Sequence, residues 1–179
     1  MMIPSIPPSA LSSVSNLFQD NLVKKITISI DNTQSRNMLH HGKRIFGTGK
    51  LIKPLPVMIS RGEMGFIESK SIIEKACGIV IYEIGDERMD NLPLLIVGWR
   101  VSLTGKNKWF ASISYEPPDE RFIKKYLKEN GITGTNTLDF NEHMMTIYGS
   151  ISDGNNAELN ICIRSWGLLD IFFSQKTLF

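Results

Sequence analysis

The sequence predicts a mainly β protein, a β-sandwich with one helix at its N-terminus and a second near residues 119–129. Two observations predict it. Short runs of alternating apolar and polar residues recur along most of the 179 residues, separated by clusters of Gly, Asn, Asp and Ser, which is the pattern of a sandwich or barrel. Two segments depart from that alternation and place apolar residues every three or four positions, which gathers them on one side of a helix.

The first departure ends at Asn21–Asn32, NLVKKITISIDN. Upstream, Leu11, Val14, Leu17, Phe18 and Leu22 share one helical face, and Pro8 with Ser9 can start that helix after a proline-bearing tail. Downstream, Ile26, Ile28 and Ile30 alternate with Thr27, Ser29 and Asp31, as in a half-buried strand, so the helix is expected to end near Val23. Lys24 and Lys25 mark the join. Further strands are predicted at 43–48, 56–60, 64–69, 77–85, 93–102, 108–116, 144–152 and 157–166, with one more at 169–175. The second helical segment is PPDERFIKKYLKENG: Pro118 and Asp119 supply a start, Phe122, Ile123, Tyr126 and Leu127 an apolar face, and Gly131 a stop.

One domain is expected over residues 1–179. A tail and mobile helix occupy 1–23, the sandwich 24–163, and an extension at 164–179 packs on it, because Leu168, Leu169, Ile171, Phe172 and Phe173 would otherwise make an adhesive patch.

Composition narrows the function. With 20 basic and 18 acidic residues the formal charge is +2, so no overall basic field announces a nucleic-acid partner. Cys77 and Cys162 are expected to be free thiols, since a chain of this length does not need a disulfide staple. Pro4, Pro7 and Pro8 interrupt the run a signal peptide would need, and no stretch approaches the ~20 apolar residues of a membrane-spanning helix.

Chemistry-bearing motifs are sparse. GKRIFGTG has Gly42 and Gly47 at the spacing of a phosphate-binding loop, but Thr48 stands where the lysine must be. His40 and His41 are adjacent on a strand, the wrong arrangement for sharing a metal, and His143 reads as a loop histidine. No catalytic residue, metal site or cofactor is expected, and the chain does not read as an enzyme.

With these landmarks placed, the chain resembles the actinoporin family, the pore-forming cytolysins of sea anemones and their relatives. The resemblance is collinear over residues 9–163. VKKITISIDN resembles the family's basic pair, strand and Ile-Asp-Asn turn after a mobile helix, and IFGTGKLIKPLP its aromatic, hydroxyl and glycine block followed by Leu-Pro. Gly62, GIVIYEI, LLIVG, the pair Trp109 and Phe110, DERFIKKYL and AELNICI follow in family order. The resemblance implies a sandwich flanked by two helices and no enzymatic activity. It implies a secreted monomer that docks on lipid headgroups of a target membrane, inserts its N-terminal helix and self-assembles into a cation-permeable pore. The inserting face would be Leu11, Val14, Leu17, Phe18 and Leu22. At ~1.5 Å per residue such a helix covers only ~22 Å of a ~30 Å hydrocarbon core, so insertion would recruit residues up to Lys25 or the tail before Pro8.

For the headgroup, Thr48 matches the family's serine, Trp109 and Phe110 its aromatic pair, and Tyr126 one ring of its choline cage. The family's arginine matches Gly47, and Ile123, Leu127 and Lys128 replace other rings, so the cage is thinned. Trp99, Arg100, Lys106 and Lys108 offer instead a surface suited to anionic headgroups. The lipid is thus sphingomyelin or phosphocholine by resemblance, or an anionic lipid by residue chemistry, and a core position is the other reading of Trp99. The alternative function is a non-lytic lipid- or glycan-binding, lectin-like module whose helix stays docked. With no visible signal peptide, a cytosolic location is also open.

Overall fold

The computed structural model describes residues 23–72, 75–86 and 88–166. The N-terminal helical face and strand 169–175 lie outside these residues. Ten strands form two sheets: β1 Val23–Gln34, β2 Met38–Gly47, β3 Lys50–Lys53, β4 Met64–Ile72, β5 Ala76–Gly85, β6 Leu94–Val101, β7 Lys108–Ser114, β8 Thr135–Phe140, β9 Met145–Ile151 and β10 Asn156–Ser165. The six-stranded sheet runs β3-β4-β1-β10-β9-β8 and the four-stranded sheet β2-β5-β6-β7. All neighbours are antiparallel except β1 and β10, which pair in parallel with Ile28 opposite Leu159. One α-helix, α1 (Glu120–Glu129), is present among the described residues, between β7 and β8, with a single 3-10 turn at Asn141–His143.

Alternation decides what enters the core. Ile26, Ile28 and Ile30 of β1 face Leu95, Val97, Trp99 and Val101 of β6 in one buried cluster, together with Ile147, Leu159, Ile161 and Ile163. Each fully buried isoleucine contributes about 1.5–3 kcal/mol relative to exposure. Two tryptophans fill the core, Trp99 over Gly78 of the neighbouring strand in its own sheet and Trp109 against Gly149 of the opposite sheet. A Cβ on Gly78 would lie 2.3 Å from Trp99, and one on Gly149 would lie 2.1 Å from Trp109, so each indole occupies the room its glycine leaves. The Trp109 Nε1–H donates to the Gly134 carbonyl at 3.0 Å.

The segment 56–60 is not a strand. Ile59 makes a single bridge, exchanging hydrogen bonds with Leu39 at 2.9 and 3.0 Å, and the Val57 carbonyl accepts from the Gly42 N–H at 2.8 Å, while Val57 and Met58 stay exposed. Pro54 and Pro56 lack the N–H groups a ladder requires. The edge strands β3 and β8 were not expected. Both carry mostly exposed residues, so neither shows a buried face in its sequence. β1 starts at Val23, and β10 continues past Ile163 to Ser165, after which the Trp166 N–H donates to the Met144 carbonyl at 2.9 Å.

α1 matches expectation. The Asp119 carboxylate accepts from the Arg121 N–H at 2.9 Å as N-cap, and the Asn130 N–H closes the last turn on the Tyr126 carbonyl. Among the described residues no helix is long and apolar enough to cross a membrane.

Candidate functional site

The four-stranded sheet has an apolar outer face, and α1 covers it. Ile123 and Leu127 pack on Ile79 and Ile96. Gly98 permits close approach, since Leu127 would sit 3.2 Å from a Cβ there. The flanks of α1 differ. Toward β7, Tyr126 meets the edge of Phe110 at 5.1 Å between centroids, and the exposed Phe122 lies 6.1 Å from Tyr126. Toward β2, Lys124 pairs with Glu120 and holds its ammonium 3.5 Å from the centre of the Phe46 ring. At the helix C-terminus Lys108 donates to the Lys128 carbonyl at 2.8 Å, where a cation also complements the helix dipole.

On the β2 flank lies a cavity of about 310 Å³. Ile79, Leu127 and Phe46 give it apolar walls, Cys77 and Thr48 close one side, and Lys75, Arg100 and Lys124 bring three cations to it. Among the described residues no carboxylate lines it, and Lys75 and Arg100 form no ion pair there. The Thr48 hydroxyl donates to the Lys75 carbonyl at 2.6 Å and accepts from the Cys77 N–H at 3.0 Å, while the Thr48 N–H donates to the Cys77 carbonyl. That hydroxyl therefore fastens the end of β2 to the start of β5 instead of facing a ligand.

Thr48 and Arg100 come together at this cavity; the other expected headgroup residues do not join them. Trp99 and Trp109 are fully buried and cannot touch a headgroup. They pair across β6 and β7, so both point inward and Arg100, Lys108 and Phe110 point outward. The core reading of Trp99 is the one found. Phe110 and Tyr126 stack on the opposite flank of α1, and Lys106 is exposed in the β6–β7 turn. Phe46, Lys75, Cys77 and Lys124 were missed. Cys77 and Ile79 share strand parity, and Lys124 adjoins Ile123 on the helix, so two of the walls were legible. Leu11, Val14, Leu17, Phe18 and Leu22 lie outside the described residues.

The cavity sits at one end of the sandwich. β2 ends there, β5 begins, β6 ends and β7 begins. The two-residue link from β2 to β3 and the short link from β4 to β5 bring the same end of the six-stranded sheet alongside, where Val23 pairs with Ile72. The chain before β1 therefore joins the sandwich at this Val23 end. Ile72 and Leu103 are 62% and 55% exposed there, beside exposed Lys50, Lys70, Lys75 and Lys106.

The blocks IDN and FGTG are stitches in this frame. Asn32 is fully buried, its side-chain amide donating to the carbonyls of Asn37 at 2.8 Å and Ser60 at 3.1 Å. Gly49, at φ +78°, lets the β2–β3 turn pass against the Lys70 carbonyl.

The outer face of the six-stranded sheet carries a second cavity of about 310 Å³, lined by Ser29, Asp31, Tyr148, Asn160 and Cys162. Both cysteines are free and lie on opposite outer faces. Burial pushes the Cys162 thiol up, and the Asp31 carboxylate adds to this, partly offset by Arg164. Among the described residues no cluster of His, Cys, Asp and Glu could hold a metal.

No protein-family model and no curated protein matches the chain. Solved structures do. The lipid binding protein Nakanori superposes with a TM-score of 0.63 at 10% identity, over 87% of this chain and 77% of Nakanori. The lectin XCL of Xerocomus chrysenteron gives a TM-score of 0.49 at 10% identity, over 79% of this chain and 99% of the lectin. At such identity the likeness to Nakanori establishes the fold: the chain is a β-sandwich of the architecture found in that protein.

Proposed function

We propose that the protein binds membrane lipid, docking by its Val23 end and taking a headgroup into the cavity between β2, β5, β6 and α1, and that residues 9–22 then insert and assemble with other copies into a pore. The observation that carries docking is the coincidence at one end of a cationic cavity, exposed Ile72 and Leu103 among lysines, and the point where the amphipathic segment joins β1. Apolar tips enter the interface while lysines meet negative lipid. Nakanori, described as a lipid binding protein, is built on the same fold, which supports the reading. In this reading the protein acts after secretion, on a target membrane.

Insertion is bounded at Val23. Lengthening the helix to Lys25 breaks the pairing of Val23–Lys25 with Ile72–Lys70 and draws the buried Lys24 away from Asn155. The added length therefore comes from the tail before Pro8.

Dye release from liposomes tests the lytic half. Wild type releases dye, and Phe18→Glu abolishes release while binding vesicles equally. Binding without release by wild type would leave a non-lytic recognition module.

A further inference from the structure

Granted the lipid-binding reading above, we infer that the cavity selects the phosphate of an anionic phospholipid whose headgroup carries no ammonium group, and rejects choline headgroups. Choline is held by aromatic faces around the cation. The aromatic face at the cavity is Phe46, and the Lys124 ammonium already covers it at 3.5 Å. Phe110 and Tyr126 are engaged with each other on the far flank of α1. A quaternary ammonium entering here would have to displace Lys124 and then approach Lys75 and Arg100, with no carboxylate among the described lining residues to offset the repulsion.

The same arrangement favours an anion. Arg100 offers a planar fork that matches phosphate oxygens, with Lys75 and Lys124 as point charges beside it. Ile79 and Leu127 behind them exclude water, which strengthens the attraction. Glu120 is paired with Lys124, so it tempers that cation without lining the cavity. Phosphatidylserine brings an ammonium and a carboxylate on one carbon, so its phosphate cannot enter this set without a cation close behind it, whereas phosphatidylglycerol and phosphatidate bring none.

The test is co-sedimentation of the full chain with vesicles of phosphatidylcholine alone, or with sphingomyelin, phosphatidylserine or phosphatidylglycerol added, the last two at equal mole fraction. Binding should be tightest with phosphatidylglycerol, several-fold weaker with phosphatidylserine at the same charge density, and weakest with the choline lipids. Arg100→Gln should lower binding to phosphatidylglycerol about twentyfold or more, the loss of a charge-assisted hydrogen-bonded contact. Lys106→Gln, at the same end but outside the cavity, should lower it about fivefold, as for any basic residue near a negative surface. Equal losses for the two variants, or equal binding to phosphatidylserine and phosphatidylglycerol, would overturn the cavity as the selector. Binding of inorganic phosphate that Arg100→Gln abolishes, with vesicle binding the same for wild type and Arg100→Gln, would assign the cavity to a soluble anion instead. Tight binding to choline vesicles would overturn the selectivity but leave lipid binding standing, whereas no binding to any vesicle would remove the lipid-binding reading itself.

Discussion

The two outer faces of the sandwich obey the same two-residue alternation and end differently. On the six-stranded sheet the outward residues of β1, β9 and β10 include Ser29, Asp31, Tyr148, Ser150 and Asn160, and Ser29 donates to the Asn160 side chain at 2.6 Å. On the four-stranded sheet they include Ile79, Ile96 and Phe110, and Ile123 and Leu127 of α1 cover part of that face. The polar face satisfies itself across the strands, while the apolar one requires a helix. The margin of that helix, where cations meet apolar walls, is where the cavity proposed to take a headgroup forms. In the proposed reading, headgroup recognition follows from the boundary between covered and uncovered sheet, not from any single motif.

Substitutions can break this contrast in order of size. The core comes first: Trp109→Ala should cost about 3–5 kcal/mol in denaturant unfolding, because it empties the space beside Gly149 and removes one of the two donors to the Gly134 carbonyl, leaving the Ile151 N–H. Ser150→Ala on the polar outer face should change stability by less than about 0.5 kcal/mol. Next is the covered face. Leu127→Ala should cost about 2–3 kcal/mol and loosen one cavity wall, so headgroup binding should weaken with it. Asp119→Ala removes only the N-cap and should cost about 1 kcal/mol, read as a lower midpoint with unchanged slope.

The smallest effect separates the two thiols. Because its proton is held more tightly than usual, Cys162 should alkylate more slowly at pH 8 than a free cysteine, and Asp31→Asn should speed it. The sign for stability follows: the folded-state value is raised, so the contribution is full below the ordinary thiol range and is lost as pH rises through the raised value. Peptide-resolved mass spectrometry reads the rate.

The sequence made the sandwich legible through strands such as β4 and β10, whose buried residues repeat every second position, and α1 through its cap and apolar face. It hid β3 and β8, since edge strands need not bury a side chain. The site was harder to read because a tryptophan's side depends on strand register. Trp99 and Arg100 are neighbours in sequence and face opposite sides, so one fills the core while the other lines the cavity. Lys124 over Phe46 joins a helix to an edge strand 78 positions away by their residue numbers, and no local pattern signals it. Thr48 lies at the cavity, and its hydroxyl is engaged in joining two strands, which its place in the sequence did not show.

Docking by the Val23 end is most directly tested by moving charge onto exposed apolar residues at either end. Ile72→Glu with Leu103→Glu places two carboxylates at the docking end, and Val57→Glu with Met58→Glu places two on the loop before β4, at the other end. In co-sedimentation with phosphatidylglycerol vesicles, the first pair should weaken binding about tenfold or more, through lost apolar insertion and added repulsion, and the second should leave it within about twofold. Equal weakening by both pairs, or none from the first, would contradict a membrane contact at the Val23 end.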